Sequence, residues 1–134
     1  MAVELSPGVK RLFEKPNFPH LATLMPDGAP QVTPVWVALD GDRILVNTAE
    51  GRVKPRNVRR DPRVAISVAD QANPYSAAFI RGRVVEITLE GAEELIDKLA
   101  KKYIGQDKYP WRQPGERRLT LVIEAEHVAS MMVD

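Results

Sequence analysis

The chain reads as an α+β protein whose strands form one antiparallel barrel, and three observations lead there. Short runs of alternating apolar and polar residues recur along most of its 134 residues, punctuated by turn signals such as Pro26-Asp27-Gly28 and Asp40-Gly41. Only two or three stretches carry helical periodicity instead. Six or seven short strands with so few helices must hide their edges, and wrapping an antiparallel sheet into a barrel does so. No repeat, linker or low-complexity run interrupts residues 1–134, so a single domain is expected, long enough to bury a core without staples.

Taken in order, Ser6-Pro7 followed by Val9, Leu12 and Phe13 predicts a capped short helix with one apolar stripe. His20–Met25 is a first strand. Gln31–Leu39 is a second, with Pro34 marking a bulge or an edge. Arg43–Thr48 returns after the Asp40-Gly41 hairpin. Between Gly51 and Asp61 the alternation stops, and Pro55 suits the first turn of a short helix that ends before Pro62. Arg63–Ala69 and Ala77–Thr88 are strands separated by a polar loop, and Gly82 predicts a bulge or bend in the longer one. Glu90–Ile104 places Ala92, Leu95, Ile96, Leu99, Ala100 and Tyr103 on one helical stripe, with i,i+4 pairs Glu94–Lys98 and Asp97–Lys101. A polar loop, Gly105–Arg117, precedes two closing strands, Leu119–Glu124 and His127–Met132.

Composition removes whole classes of function. Without cysteine there is no disulfide scaffold, thiolate metal site or thiol nucleophile. His20 and His127 lie far apart and no HExxH-like spacing exists, so no metal centre is expected. No apolar run approaches a membrane span and no signal-peptide core opens the chain, so a cytoplasmic protein without membrane association is expected. The formal net charge of +1 points to no nucleic-acid partner.

The charge is nevertheless unevenly placed. From Arg52 to Arg63, six of twelve residues are basic. On a helix, Arg56, Arg59 and Arg60 share a face. Arg52 and Lys54 sit at its start, where free N–H groups and the helix dipole favour an anion. Arg offers a planar fork and Lys a point charge, a pairing suited to a phosphate ester, and Asn57 can add a neutral donor. A solvated charged face is the plain alternative for Arg59, Arg60 and Arg63. Trp36, on a strand, reads as core. Tyr109 and Trp111 either roof a small-molecule pocket or merely dock their loop, and both readings stay open.

The run Asn47-Thr48-Ala49-Glu50-Gly51-Arg52-Val53-Lys54, continued by Arg56-Asn57-Val58-Arg59-Arg60-Asp61-Pro62-Arg63-Val64, resembles the signature of the pyridoxamine-phosphate-oxidase-like split-barrel superfamily. It is most similar to the branch that uses the deazaflavin coenzyme F420. The likeness extends through His20–Leu24, Gln31–Trp36 and Ile80–Val84 to the terminal strands. It implies a split β-barrel and a phosphate held by Arg52, Lys54 and Asn57. It also implies a tricyclic ring lying along Gln31, Thr33, Pro34, Asn47 and Thr48. A homodimer with the cofactor groove between subunits follows from the resemblance, with Tyr75, Ser76 and Ala77 touching cofactor bound mainly by the partner. The activity implied is hydride transfer between reduced F420 and an unsaturated or quinone-like small molecule. No catalytic acid or base is assigned, because that chemistry belongs to the cofactor while the protein binds, orients and excludes water. FMN on the same scaffold is the alternative cofactor. A non-enzymatic cofactor- or heme-binding module is the alternative class.

Overall fold

The computed structural model describes residues 2–133 and has ten elements. In order these are α1 (Pro7–Glu14), β1 (His20–Leu24), β2 (Pro30–Pro34), β3 (Val37–Asp40), β4 (Arg43–Ala49) and α2 (Val53–Arg60). They continue as β5 (Arg63–Ala69), β6 (Ala77–Thr88), α3 (Ala92–Ile104) and β7 (Arg118–Met131). All seven strands join one antiparallel sheet in the order β2-β1-β5-β6-β7-β4-β3. This is the expected α+β split-barrel topology. Among the described residues no helix is long and apolar enough to cross a membrane.

The sheet does not close into a hydrogen-bonded cylinder, which corrects the expectation that its edges vanish. Its two edges are β2 and β3, consecutive in sequence yet at opposite ends of the sheet. The single strand expected over Gln31–Leu39 is therefore two. Proline at 34 has no N–H to continue a ladder. Immediately afterwards Val35 donates its N–H to Pro19 O at 2.8 Å, and the chain crosses from one edge to the other through Val35 and Trp36.

The closing strands differ in the opposite sense, since the two expected runs form one long strand, β7. Its pairing with β6 shifts register where Arg81 faces His127 and Gly82 faces Ala125, so Glu126 is the extra residue. Gly82 marks this irregularity, as expected, but its role there is close approach. A Cβ at position 82 would lie 2.1 Å from the Glu124 carbonyl oxygen. Only glycine fits there.

Each helix covers part of the barrel for a local reason. Ser6 Oγ accepts the Val9 N–H at the start of α1, whose Val9, Leu12 and Phe13 are buried. They meet Leu21, Ile44, Ile66, Leu121 and Ile123 in the core, each such side chain contributing about 1.5–3 kcal/mol when fully buried. α3 begins at Ala92 rather than Glu90, because Gly91 takes a left-handed conformation as its N-cap (φ 77°). It packs on β7 and β4. α2 packs on β1 and β4, which brings its N-terminus beside the seam between β2 and β3.

Candidate functional site

A cavity of about 360 Å³ opens at that seam. Its floor is the crossover Pro34-Val35-Trp36 together with Asn47 and Thr48 of β4. Arg52 and Lys54, at the start of α2, form one side with Arg118, the first residue of β7. Phe18, Tyr109 and Trp111 supply aromatic walls, and Ile96 of α3 lies behind them. Of the residues singled out in the sequence, Pro34, Asn47, Thr48, Arg52, Lys54, Tyr109 and Trp111 come together here.

The basic side follows from the local chain. Gly51 turns with φ 90°, and Arg52 is the extended N-cap of α2, but no side chain caps the helix. Its first N–H groups are therefore left for another acceptor. Lys54 is half-buried, and among the described residues no carboxylate pairs with it. Burial and, secondarily, the charge of Arg52 push its ammonium below the ordinary value. Arg52 has a weak partner, with Glu116 Oε2 3.9 Å from Nη2.

The aromatic side depends on long-range packing. Trp36 is only partly buried and lines the cavity, which corrects its assignment to the core. Tyr103 of α3 stacks on it with centroids 5.3 Å apart and planes 5° from parallel. Tyr109 meets Trp36 edge-on at 6.1 Å, and Trp111 meets it at 6.2 Å with the planes tilted by 45°. Tyr109 and Trp111 thus dock their loop against Trp36 and line the cavity.

Asp97, on α3, holds that loop in place. Its carboxylate accepts the Tyr109 N–H at 2.9 Å and the Arg112 Nη2 at 3.0 Å, and Lys108 Nζ lies 3.6 Å away. The Tyr109 backbone bond, opposed by partial burial and aided by Arg112, keeps the Asp97 carboxyl below its ordinary range. The expected Asp97–Lys101 pair is replaced by these contacts, and Lys101 pairs with Asp107 instead.

Other expected residues lie elsewhere. Asn57 does not line the cavity. It is 2% exposed, its Nδ2 donates to Thr23 Oγ1 at 2.9 Å, and its Oδ1 accepts from Arg60. It rivets α2 to β1, behind the cationic side of the cavity. Gln31 and Thr33 are on edge strand β2 outside the cavity lining. Thr33 Oγ1 is the one buried side-chain polar atom among the described residues that lacks a hydrogen-bond partner. Tyr75 is exposed, and Ala77 lines a separate hollow that shares Phe18 with the cavity. Ser76 caps the same 70–76 turn through backbone bonds to Asp70 and Asn73. On the basic face of α2, Arg59 pairs with Glu50 at 3.0 Å, and Arg63, at the start of β5, pairs with Asp61 at 2.7 Å. Phe18 and Arg118 were not singled out from sequence, and no local pattern marks either.

A cavity with cations at an uncapped helix start and aromatic rings along its walls suits an anionic, flat-ringed small molecule. Comparison with known proteins gives the family. The chain belongs to the pyridoxamine 5'-phosphate oxidase family, whose model matches residues 5–132. Among solved structures, an F420 reductase superposes with a TM-score of 0.81 at 33% identity, covering 93% of this chain and 98% of that one. A conserved hypothetical protein from Mycobacterium tuberculosis matches with a TM-score of 0.71 at 25% identity, covering 97% and 86%. HupZ of Group A Streptococcus, 20% identical with a TM-score of 0.65 over 90% of this chain and 89% of that one, shares the fold.

Proposed function

We propose that this chain is an oxidoreductase that holds coenzyme F420 in the seam cavity and serves hydride exchange with an unsaturated or quinone-like small molecule. FMN is the alternative cofactor; the likeness to an F420 reductase supports preferring the deazaflavin. One observation carries the reading. Lys54 is a half-buried ammonium without a carboxylate partner among the described residues, held beside Arg52 and an uncapped helix start in a cavity walled by aromatic rings. A lysine is kept in such a place at a cost, and a phosphate removes the cost.

The residues fit the group. Arg52, Lys54 and the α2 N–H groups would hold its phosphate. Pro34, Asn47 and Thr48 would lie along its ring, with Trp36, Tyr109 and Trp111 excluding water from the ring's surroundings. When bound, the coenzyme supplies a carbon or nitrogen centre that gives or takes hydride. Asn57 acts one step back, by fixing the angle at which α2 presents Lys54. Thr33 Oγ1 offers an unfilled hydrogen bond near the same edge.

The assembly belongs to the same proposal. The outward faces of β1, β5 and β6 form an apolar hollow of about 550 Å³ with Ala22, Ala65 and Phe79, and Val32 beside it is 60% exposed. A second copy of the chain would cover it and bring Tyr75, Ser76 and Ala77 toward the neighbouring cavity. Sedimentation equilibrium is expected to give twice the 15.0 kDa chain mass.

The test of the cofactor site is a parallel titration with F420 and FMN, followed by fluorescence quenching of Trp36 and Trp111. Lys54→Ala should weaken the preferred cofactor about ten- to a hundredfold, the worth of one charge-assisted hydrogen bond to phosphate. Equal affinity in wild type and variant would remove Lys54 from the phosphate site. Protein purified yellow with firmly held FMN would favour the alternative cofactor.

A further inference from the structure

Arg118 is the most deeply buried cation bordering the cavity. Its side chain is 3% exposed, yet it stands in the wall beside Arg52 and Lys54. Burying a guanidinium this far costs several kcal/mol on general grounds unless its donors are used. Two are. Nε donates to Asn47 Oδ1 at 2.8 Å, and Nη1 donates to Glu116 Oε1. The ring of Tyr109 lies against the group, with Cζ 5.2 Å from its centroid. Nη2 makes no hydrogen bond among the described residues. It is also absent from the buried unpartnered atoms, of which Thr33 Oγ1 is the one instance among those residues. Arg118 borders the cavity, so Nη2 is the donor it has left for a ligand there.

The carboxylate of Glu116 shows that this wall already holds an anion between two guanidinium groups. One oxygen takes Arg118 and the other lies 3.9 Å from Arg52, so a single anion already spans the two guanidinium groups. Burial alone would raise the Glu116 carboxyl, but the bond and charge of Arg118, with help from Arg52, bring it below its ordinary value. Three cations then share the cavity wall against one carboxylate, leaving two positive charges unmatched.

We propose that Arg118 is a further binding residue, donating from Nη2 to the phosphate of the bound ring coenzyme, with Glu116 and Asn47 as positioning residues that aim it. The inference rests on the seam cavity being the coenzyme site. In that site the phosphate would meet Arg52 at the N-cap of α2, Lys54 in its first turn and Arg118 at the start of β7. A merely structural Arg118 would tie β7 to β4 and support Tyr109 without discriminating between ligands that carry or lack phosphate.

The test measures affinity for two pairs of probes: F420 and its phosphate-free deazaflavin core, and FMN and riboflavin. Wild type is expected to prefer the phosphate-bearing member of at least one pair. Arg118→Gln should reduce that preference about ten- to a hundredfold while leaving affinity for the phosphate-free ring unchanged. Because the single substitution strands a buried carboxylate, Arg118→Gln/Glu116→Gln is measured beside it, with unfolding in urea as the control for folding. The double variant should show the same lost preference. Equal weakening of both members of a pair, or an unaltered preference in a folded variant, would overturn the assignment of Arg118 alone. Failure of wild type to bind any of the four probes would overturn the coenzyme site, and the role of Arg118 with it.

Discussion

Replacing Asp97 with asparagine isolates the electrostatic latch of the aromatic wall. Asparagine keeps an oxygen for the Tyr109 N–H at 2.9 Å, but withdraws the charge that holds Arg112 at 3.0 Å and Lys108 at 3.6 Å. A hydrogen bond to a charged group is worth about 1.5–3 kcal/mol, and an exposed ion pair about 0–1 kcal/mol. The Asp97 side chain is 18% exposed, between those cases, so the expected loss is about 1–2 kcal/mol. The open form of the 105–117 loop should therefore rise about five- to thirtyfold. Trypsin reads this directly, because Lys108 and Arg112 are cleavage points inside the latched segment. At low protease the cutting rate follows the open population. Indistinguishable cutting of wild type and Asp97→Asn would refute the latch. The pH dependence has a defined sign. The Asp97 carboxyl is held below its unfolded value of 3.8, so its stabilisation is complete above that pH and disappears as the pH falls through the lower folded value. Protection of the Tyr109 amide against hydrogen exchange should decline over the same acid window.

Gly82→Ala forces a methyl group into the Glu124 carbonyl, where backbone cannot yield cheaply, and should cost about 3 kcal/mol or more in urea unfolding. Asn57→Ala should lose about 2 kcal/mol in the absence of any ligand, since it removes the rivet between α2 and Thr23. A variant of unchanged stability would contradict that role. Lys102 donates to Phe13 O and Val37 O, and burial pushes it down to about 8 from 10.5. Its burial penalty thus applies below pH 8 and is relieved as the pH rises toward 10.5. Wild type should gain stability relative to Lys102→Met across that interval, measured by urea midpoints.

The part of the cavity's cationic side that Arg52 and Lys54 form was legible because it is local. Arg52, Lys54 and the helix they introduce occupy one short segment, and helix-start physics needs nothing from elsewhere in the chain. The aromatic half was not. Phe18, Trp36, Tyr103 and Trp111 converge from four separate segments, and the place of Trp111 among them depends on Asp97 capturing a loop twelve residues away. Pro34 announced a break in its strand, but nothing in residues 31–39 says that the two pieces go to opposite edges of the sheet. Asn57 shows the reverse case. Its position three residues after Lys54 suggested a ligand contact, whereas packing against β1 buries it on Thr23. Arg118 was hidden by its setting, since a basic residue opening a strand normally looks like an ordinary solvated end.

The seam between β2 and β3 has a mechanical consequence. No ladder of hydrogen bonds crosses it; the two margins are tied covalently, through Val35 and Trp36, and by the packing of α3 over the crossover. The barrel can therefore gape along this line without tearing any strand pair, much as a cuff opens at its slit. A molecule wedged against Trp36 would act as the button. Slow exchange of the Val35 and Val37 amides, which donate to Pro19 O and Tyr103 Oη, should appear on ligation well before the rest of the sheet changes.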